Sequence, residues 1–145
     1  MREKTFAISL TIPDNEAFTA RETLRRMGIL AADVRRADIW TFSVDEAAAG
    51  TLAAAVATLE PIFNPNKHRL EERASAHPIA GEVWIAPHAE SKMIAVGGRI
   101  IPGVSAIRRA TAWRLLDERG SDLAATMLDR ALEFLCNPAF QKVTR

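Results

Sequence analysis

The chain has 145 residues, 48% of them apolar and 26% charged, with seven Gly and seven Pro. A chain of this length withdraws roughly 70% of its unfolded surface on compaction, and the composition lies near the globular average, which excludes the disordered and fibrous classes. The formal charge is +1 with acids and bases interleaved, so no sustained positive face of the kind that neutralises phosphate backbones is present, and nucleic acid is not an expected partner.

Phe6, Ile8, Leu10 and Ile12 alternate with smaller residues, which predicts a strand with four large apolar groups on one face, stopped by Pro13. Asp14 and Asn15 are good N-caps; Ala17, Ala20, Leu24 and Met27 follow at helical spacing, and Gly28 can close that helix in a left-handed conformation. Asp33 to Val44 predicts a long extended segment with Trp40, Phe42 and Val44 on one face. Its polar centre, Arg35 to Asp38, predicts a bend, a bulge or a break into two short strands. Asp45 caps an Ala-rich helix from Ala47 to about Phe63, kinked or ended by Pro61 and terminated by Asn64-Pro65. Lys67 to Arg73 then reads as a polar edge strand.

After Ala74 the stretch "SAHPIAGE" marks a boundary, dividing the chain into halves 1–74 and 75–145. Glu82 to Ala86 predicts a strand bounded by Pro87, and Met93 to Ile101 another, with Gly97-Gly98 as a turn or bulge. Val104, Ile107, Thr111 and Leu115 fall along one side of a helix from Val104 to Glu118, closed by Gly120. Ser121 caps a following helix, Asp122 to Cys136, with Leu128, Leu132 and Leu135 inward, and Phe140 to Thr144 forms a last strand. Strand, helix, helix, strand thus comes round again. "LEPIFNPNKHRLEE" from Leu59 and "LEFLCNPAFQKVTR" from Leu132 also match at a constant offset, with Leu59, Glu60, Asn64 and Pro65 recurring as Leu132, Glu133, Asn137 and Pro138; the readings are a degenerate repeat or chance similarity between two amphipathic helices ending in Asn-Pro, both ordinary helix-ending residues.

No catalytic constellation is visible. His68, His77 and His88 form no ligand spacing, so no metal site is expected, and the carboxylates stand singly or in charge-alternating runs such as "RLEER". Cys136 is the only cysteine and reads as a buried, inert thiol, which fits a reducing compartment. The chain begins without a secretory pattern and has no stretch of about 20 apolar residues, so no membrane span is expected and the location reads as cytoplasmic. One stretch could hold an anion. In "VGGRIIPGVSAIRR" Gly98 and Gly103 permit close backbone approach, the helix expected from Val104 would expose free amides, and Arg99, Arg108 and Arg109 could add charge; the alternative is a plain turn with solvated arginines. Trp40, Trp84 and Trp113 fit either the core or a subunit interface.

"ARETLRRMGI" with the following "AADVRRADIWTFSV", and the closing phrases "LEPIFNPNKHRLEE" and "LEFLCNPAFQKV", resemble the small, non-catalytic subunit of bacterial phosphoribosylformylglycinamidine synthase, the PurS family. Ala37-Asp38 stand where that family usually has Gly-Lys. The resemblance implies an α+β fold: a ferredoxin-like antiparallel sheet with helices on one face, here as two related halves forming a pseudo-dimer. It implies a bridging role in purine biosynthesis, in which the chain holds an ATP-using synthetase subunit and a glutaminase subunit so that ammonia passes between them. The chain itself would need no cofactor and be at most an accessory subunit of an ATP-dependent amidoligase. Synthetase and glutaminase subunits, and further copies of the chain, are the implied partners. The alternative expectation is a self-associating ferredoxin-like module that binds a small anionic metabolite at Gly97 to Arg109.

Overall fold

The computed structural model describes residues 1–89 and 95–145. In chain order the elements are β1 (Arg2–Leu10), α1 (Asn15–Arg26), β2 (Asp33–Val44), α2 (Glu46–Ala49), α3 (Leu52–Val56), β3 (His68–Arg73), β4 (Glu82–Pro87), β5 (Ala95–Val96), β6 (Arg99–Ile100), β7 (Val104–Leu116), α4 (Ala125–Leu135) and β8 (Gln141–Thr144). Six strands form an antiparallel sheet in the order β3-β1-β2-β7-β4-β8, while β5 and β6 pair as a separate hairpin. The architecture is α+β, and the edge position expected for Lys67 to Arg73 is that of β3. The described residues fall into two compact units. One consists of Met1–Ile12, Ala37–Ala76 and 95–110; the other of Pro13–Arg36, His77–Ala89 and Thr111–Arg145. Each draws on chain from both sides of Ser75.

In the first unit, alternation along β1 and β2 puts Phe6, Ile8, Trp40, Phe42 and Val44 on one face, where Leu52 and Val56 of α3, then Leu59 and Ile62, close over them. Fully burying each such side chain is worth about 1.5–3 kcal/mol, so this face dominates the unit's stability. The opposite face carries Thr5 and Thr41, both buried, whose hydroxyls meet at 3.0 Å and so satisfy each other. The β1–β2 register runs without interruption from Arg2↔Val44 to Ile8↔Asp38, and β2 is a single strand through Arg35 to Asp38 rather than broken into two. Two further expectations are corrected. Ile12 lies outside β1 and is exposed, the strand ending at Leu10. The helix expected from Ala47 to Phe63 is two short ones, parted at Gly50-Thr51, with turns carrying Leu59 to Phe63. Glycine's conformational freedom weakens an Ala-rich run at that point. Asp45 caps α2 as anticipated, its carboxylate accepting the Ala48 amide hydrogen at 2.8 Å. Of the strand expected over Met93 to Ile101, Met93 and Ile94 lie outside the described residues, and the remainder is the β5–β6 hairpin turning at Gly97-Gly98.

In the second unit, Asp14 starts α1 by accepting from the amides of Glu16 (3.0 Å) and Ala17 (3.1 Å); Gly28, at φ +82°, ends it. Ala17, Ala20 and Leu24 pack with Ile29, Ala31, Val34, Leu115 and Ala131, while Val83 and Ile85 of β4 pack with Leu132 and Cys136. The segment read as a helix from Val104 to Glu118 is strand β7, paired with β4 from Glu82↔Arg114 to Ile85↔Thr111. Strands buried on both faces lose the alternation that distinguishes them from helices, and Leu115 and Leu116 are consecutive and both buried. Ser121 caps no helix: it closes a turn with Asp117, and α4 begins only at Ala125, without a side-chain cap. The second half is therefore strand, hairpin, strand, helix, strand, not strand, helix, helix, strand.

The halves nonetheless share a layout. Strand order in the first is β3-β1-β2 and in the second β8-β4-β7, so each half's last strand lies at an outer edge of the sheet, antiparallel to its first. Both last strands also leave the same turn. Asn64 Oδ1 accepts from Asn66 N at 2.9 Å, and Asn64 O from the amides of Lys67 and His68; Asn137 Oδ1 accepts from Ala139 N at 3.1 Å, and Asn137 O from those of Phe140 and Gln141. The asparagine amides donate to the side chain four residues on, His68 Nδ1 and Gln141 Oε1, at 2.9 Å each.

Candidate functional site

The anion-binding expectation at Gly97 to Arg109 rested partly on free amides at a helix start, and Val104 begins a strand instead. Strand geometry sends consecutive side chains to opposite faces, so it separates the arginines. Arg108 meets the carboxylate of Glu3, and Arg109 lies over the Trp40 ring, its Cζ 4.3 Å from the centroid, a cation–π arrangement. Arg99 sits in the exposed β6, and Gly98 occupies the hairpin turn at φ +77°. Gly103 is a close-approach glycine, as its φ of +81° permits, but it packs against Ala48 and the Asp45 carboxylate, which would repel an anion. Arg108 and Arg109 are thus turned to different partners, Glu3 and Trp40.

The three tryptophans part company. Trp40 is buried in the first unit beside Phe42, their rings stacked 6.5 Å apart. Trp84 is buried too, and its indole Nε1 donates to Glu82 Oε1 at 2.5 Å, giving that buried carboxylate a partner. Trp113 is only half-buried. Together with Asn15, Glu16, Thr19 and Ala20 of α1 and Phe134 and Leu135 of α4 it lines an open groove of about 390 Å³ in the second unit.

This groove is the candidate site. The helices that wall it are fixed by Ala17, Leu24 and Ala131 beneath, and the small Ala20 opens space above the indole. Its polar end is held by Arg36, whose Nε donates to Asp14 Oδ2 at 3.2 Å and whose Nη1 lies 3.4 Å from Glu16, so one guanidinium is shared between the two acids there. Phe134 keeps 43% of its surface exposed at the rim, and Phe18 on α1 keeps 61%. Both were overlooked in the sequence, though each is an aromatic lying off its helix's apolar stripe. The lining offers the aromatic surfaces of Trp113 and Phe134 with the polar Asn15, Glu16 and Thr19 beside them, so the groove can bind an apolar or aromatic group.

Beyond the groove, Arg114 Nε donates to Asp122 Oδ1 at 3.0 Å, and that hydrogen bond, outweighing desolvation, holds the guanidinium above its ordinary pKa. Among the described residues, no group of three or more His, Cys, Asp or Glu is placed to hold a metal ion, and no helix is long and apolar enough to cross a membrane. The chain matches no protein-family model and, at a significant level, no curated protein.

Proposed function

We propose that this chain is a non-catalytic assembly protein of the kind its sequence resembles, the small subunit of phosphoribosylformylglycinamidine synthase, built as two ferredoxin-like halves in one chain. The observation that carries the reading is the pair of Asn-Pro turns. Asn64 and Asn137 make corresponding hydrogen bonds, each turn releases an edge strand, and the two strand orders, β3-β1-β2 and β8-β4-β7, mirror each other. Chance similarity between two helix ends does not require the strands that follow to take equivalent places. A covalent pseudo-dimer accounts for both.

In this reading the chain offers partners surfaces rather than chemistry. The groove over Trp113, with Phe134 at its rim, would receive an aromatic or aliphatic anchor from a synthetase or glutaminase subunit, since buried aromatic contacts dominate the energetics of such interfaces. Affinity capture of the tagged chain from its own cells tests the proposal. Co-recovery of a glutaminase and an ATP-using synthetase is expected, with recovery weakened by Trp113→Ala; capture of the chain with neither enzyme would overturn it.

A further inference from the structure

The edge strand β3 reads His68-Arg69-Leu70-Glu71-Glu72-Arg73, with two basic-type residues before a leucine and two acids after it, closed by an arginine. Paired antiparallel with a second copy of itself about Leu70, this order sets Arg69 opposite Glu71 and His68 opposite Glu72, twice each, with Leu70 facing Leu70. Oppositely charged residues directly across an antiparallel pair attract, and like charges repel.

The backbone is prepared for such pairing. Thr11 N donates to Lys67 O at 2.9 Å, in register with the β1–β3 pairs Ser9↔Arg69 and Ala7↔Glu71. Hydrogen-bonded and non-bonded pairs alternate along an antiparallel ladder, so Leu70 and Glu72 direct their amide and carbonyl groups away from β1. No other strand among the described residues pairs with that side. His68 spends its amide hydrogen on Asn64 O at 2.8 Å, which leaves its carbonyl outward, ready to accept from Glu72 of another copy. Its ring accepts the Asn64 amide hydrogen at Nδ1, so the neutral ring carries its proton on Nε2, a donor suited to a carboxylate. Glu71 and Glu72 are bound within the chain by Arg73 (2.9 Å) and Lys4 (2.6 Å), both through Oε1. Lys67, the next position outward, continues the ladder through Thr11 and would stand opposite Arg73, a like charge whose guanidinium is already held by Glu71 at 2.9 Å.

The other edge does not share this property. β8, Gln141–Thr144, contains one base, Lys142, and no acid, so self-pairing there would gain no attraction between opposite charges.

We propose that the chain forms a closed two-fold dimer through β3, the two copies joined edge to edge about Leu70. Closure by one self-complementary edge limits the assembly to two copies. Sedimentation equilibrium over a range of concentrations tests this with two variants. Arg69→Glu places Glu opposite Glu71 and Glu71→Arg places Arg opposite Arg69, so each alone should weaken dimerisation at least ten-fold. An equimolar mixture of the two should restore it, because the charges then alternate correctly across a mixed pair, and circular dichroism checks that each variant is folded. The proposal is overturned if the native chain is monomeric or forms assemblies larger than two, if either variant dimerises as the native chain does, or if the folded variants fail to associate when mixed.

Discussion

Asp14 does two things at once, and replacing it separates them. Its Oδ1 caps α1 by accepting from Glu16 N and Ala17 N, and its Oδ2 accepts from Arg36 Nε at 3.2 Å in a pair whose side chains are 16% and 15% exposed. Loss of an N-cap costs about 1 kcal/mol. A half-shielded pair of this kind, only partly screened by solvent, adds about 1 kcal/mol more. Asp14→Ala should therefore destabilise by about 2 kcal/mol. Asp14→Asn keeps a capping oxygen while losing the charge, and should cost about 1 kcal/mol or less, since Asn and Asp cap equally well. In a chain of this size those losses lower Tm by about 7 °C and about 3 °C. Urea unfolding followed by far-ultraviolet circular dichroism, with the slope unchanged, measures both. Equal losses for Ala and Asn would refute the capping argument, and an Ala variant within about 0.5 kcal/mol of native would refute both roles.

Gly81, at φ +83°, would bring an added Cβ to 2.3 Å from the Asp122 carboxylate, whereas Gly120, at φ +77°, has nothing within 4 Å. Gly81→Ala should thus cost about 3 kcal/mol and Gly120→Ala about 1 kcal/mol, compared by urea midpoints. Trp84→Phe leaves the buried Glu82 carboxylate short of one donor and should cost about 1–3 kcal/mol, with Glu82→Gln less damaging because an amide oxygen still accepts. Phe42, fully buried against Phe6 and Trp40, should lose about 3–5 kcal/mol on truncation to Ala by thermal or chemical unfolding.

What could be read from the residues was whatever one local rule decides. Asp14, the Ala17/Ala20/Leu24 stripe and Gly28 bound α1 in the sequence as they do in the structure. β1, β2, β3 and β4 follow from alternation and breakers. β7 did not, because Arg108 and Arg109 interrupt any polar-apolar period and are accommodated on opposite faces by Glu3 and Trp40, partners remote in sequence. The same cause hid the continuity of β2: Arg36 sits within a strand because Asp14 and Glu16, a helix away along the chain, receive its charge. At the groove, Trp113 was a candidate from its residue type alone. Phe134 was not, since its exposure depends on how α4 rotates its stripe of Ala131 and Leu132 inward.

The interleaved make-up of the two units sets a timetable for folding during synthesis. Every segment of the first unit has been made once Ala110 is joined, whereas the second opens at Pro13 and needs α4 and β8. Until α4 has been added, the apolar side of α1 lacks Ala131 to rest on. A nascent chain paused in that interval exposes Leu24 and Ile29 to solvent or to a chaperone, although both are fully sheltered in the finished molecule.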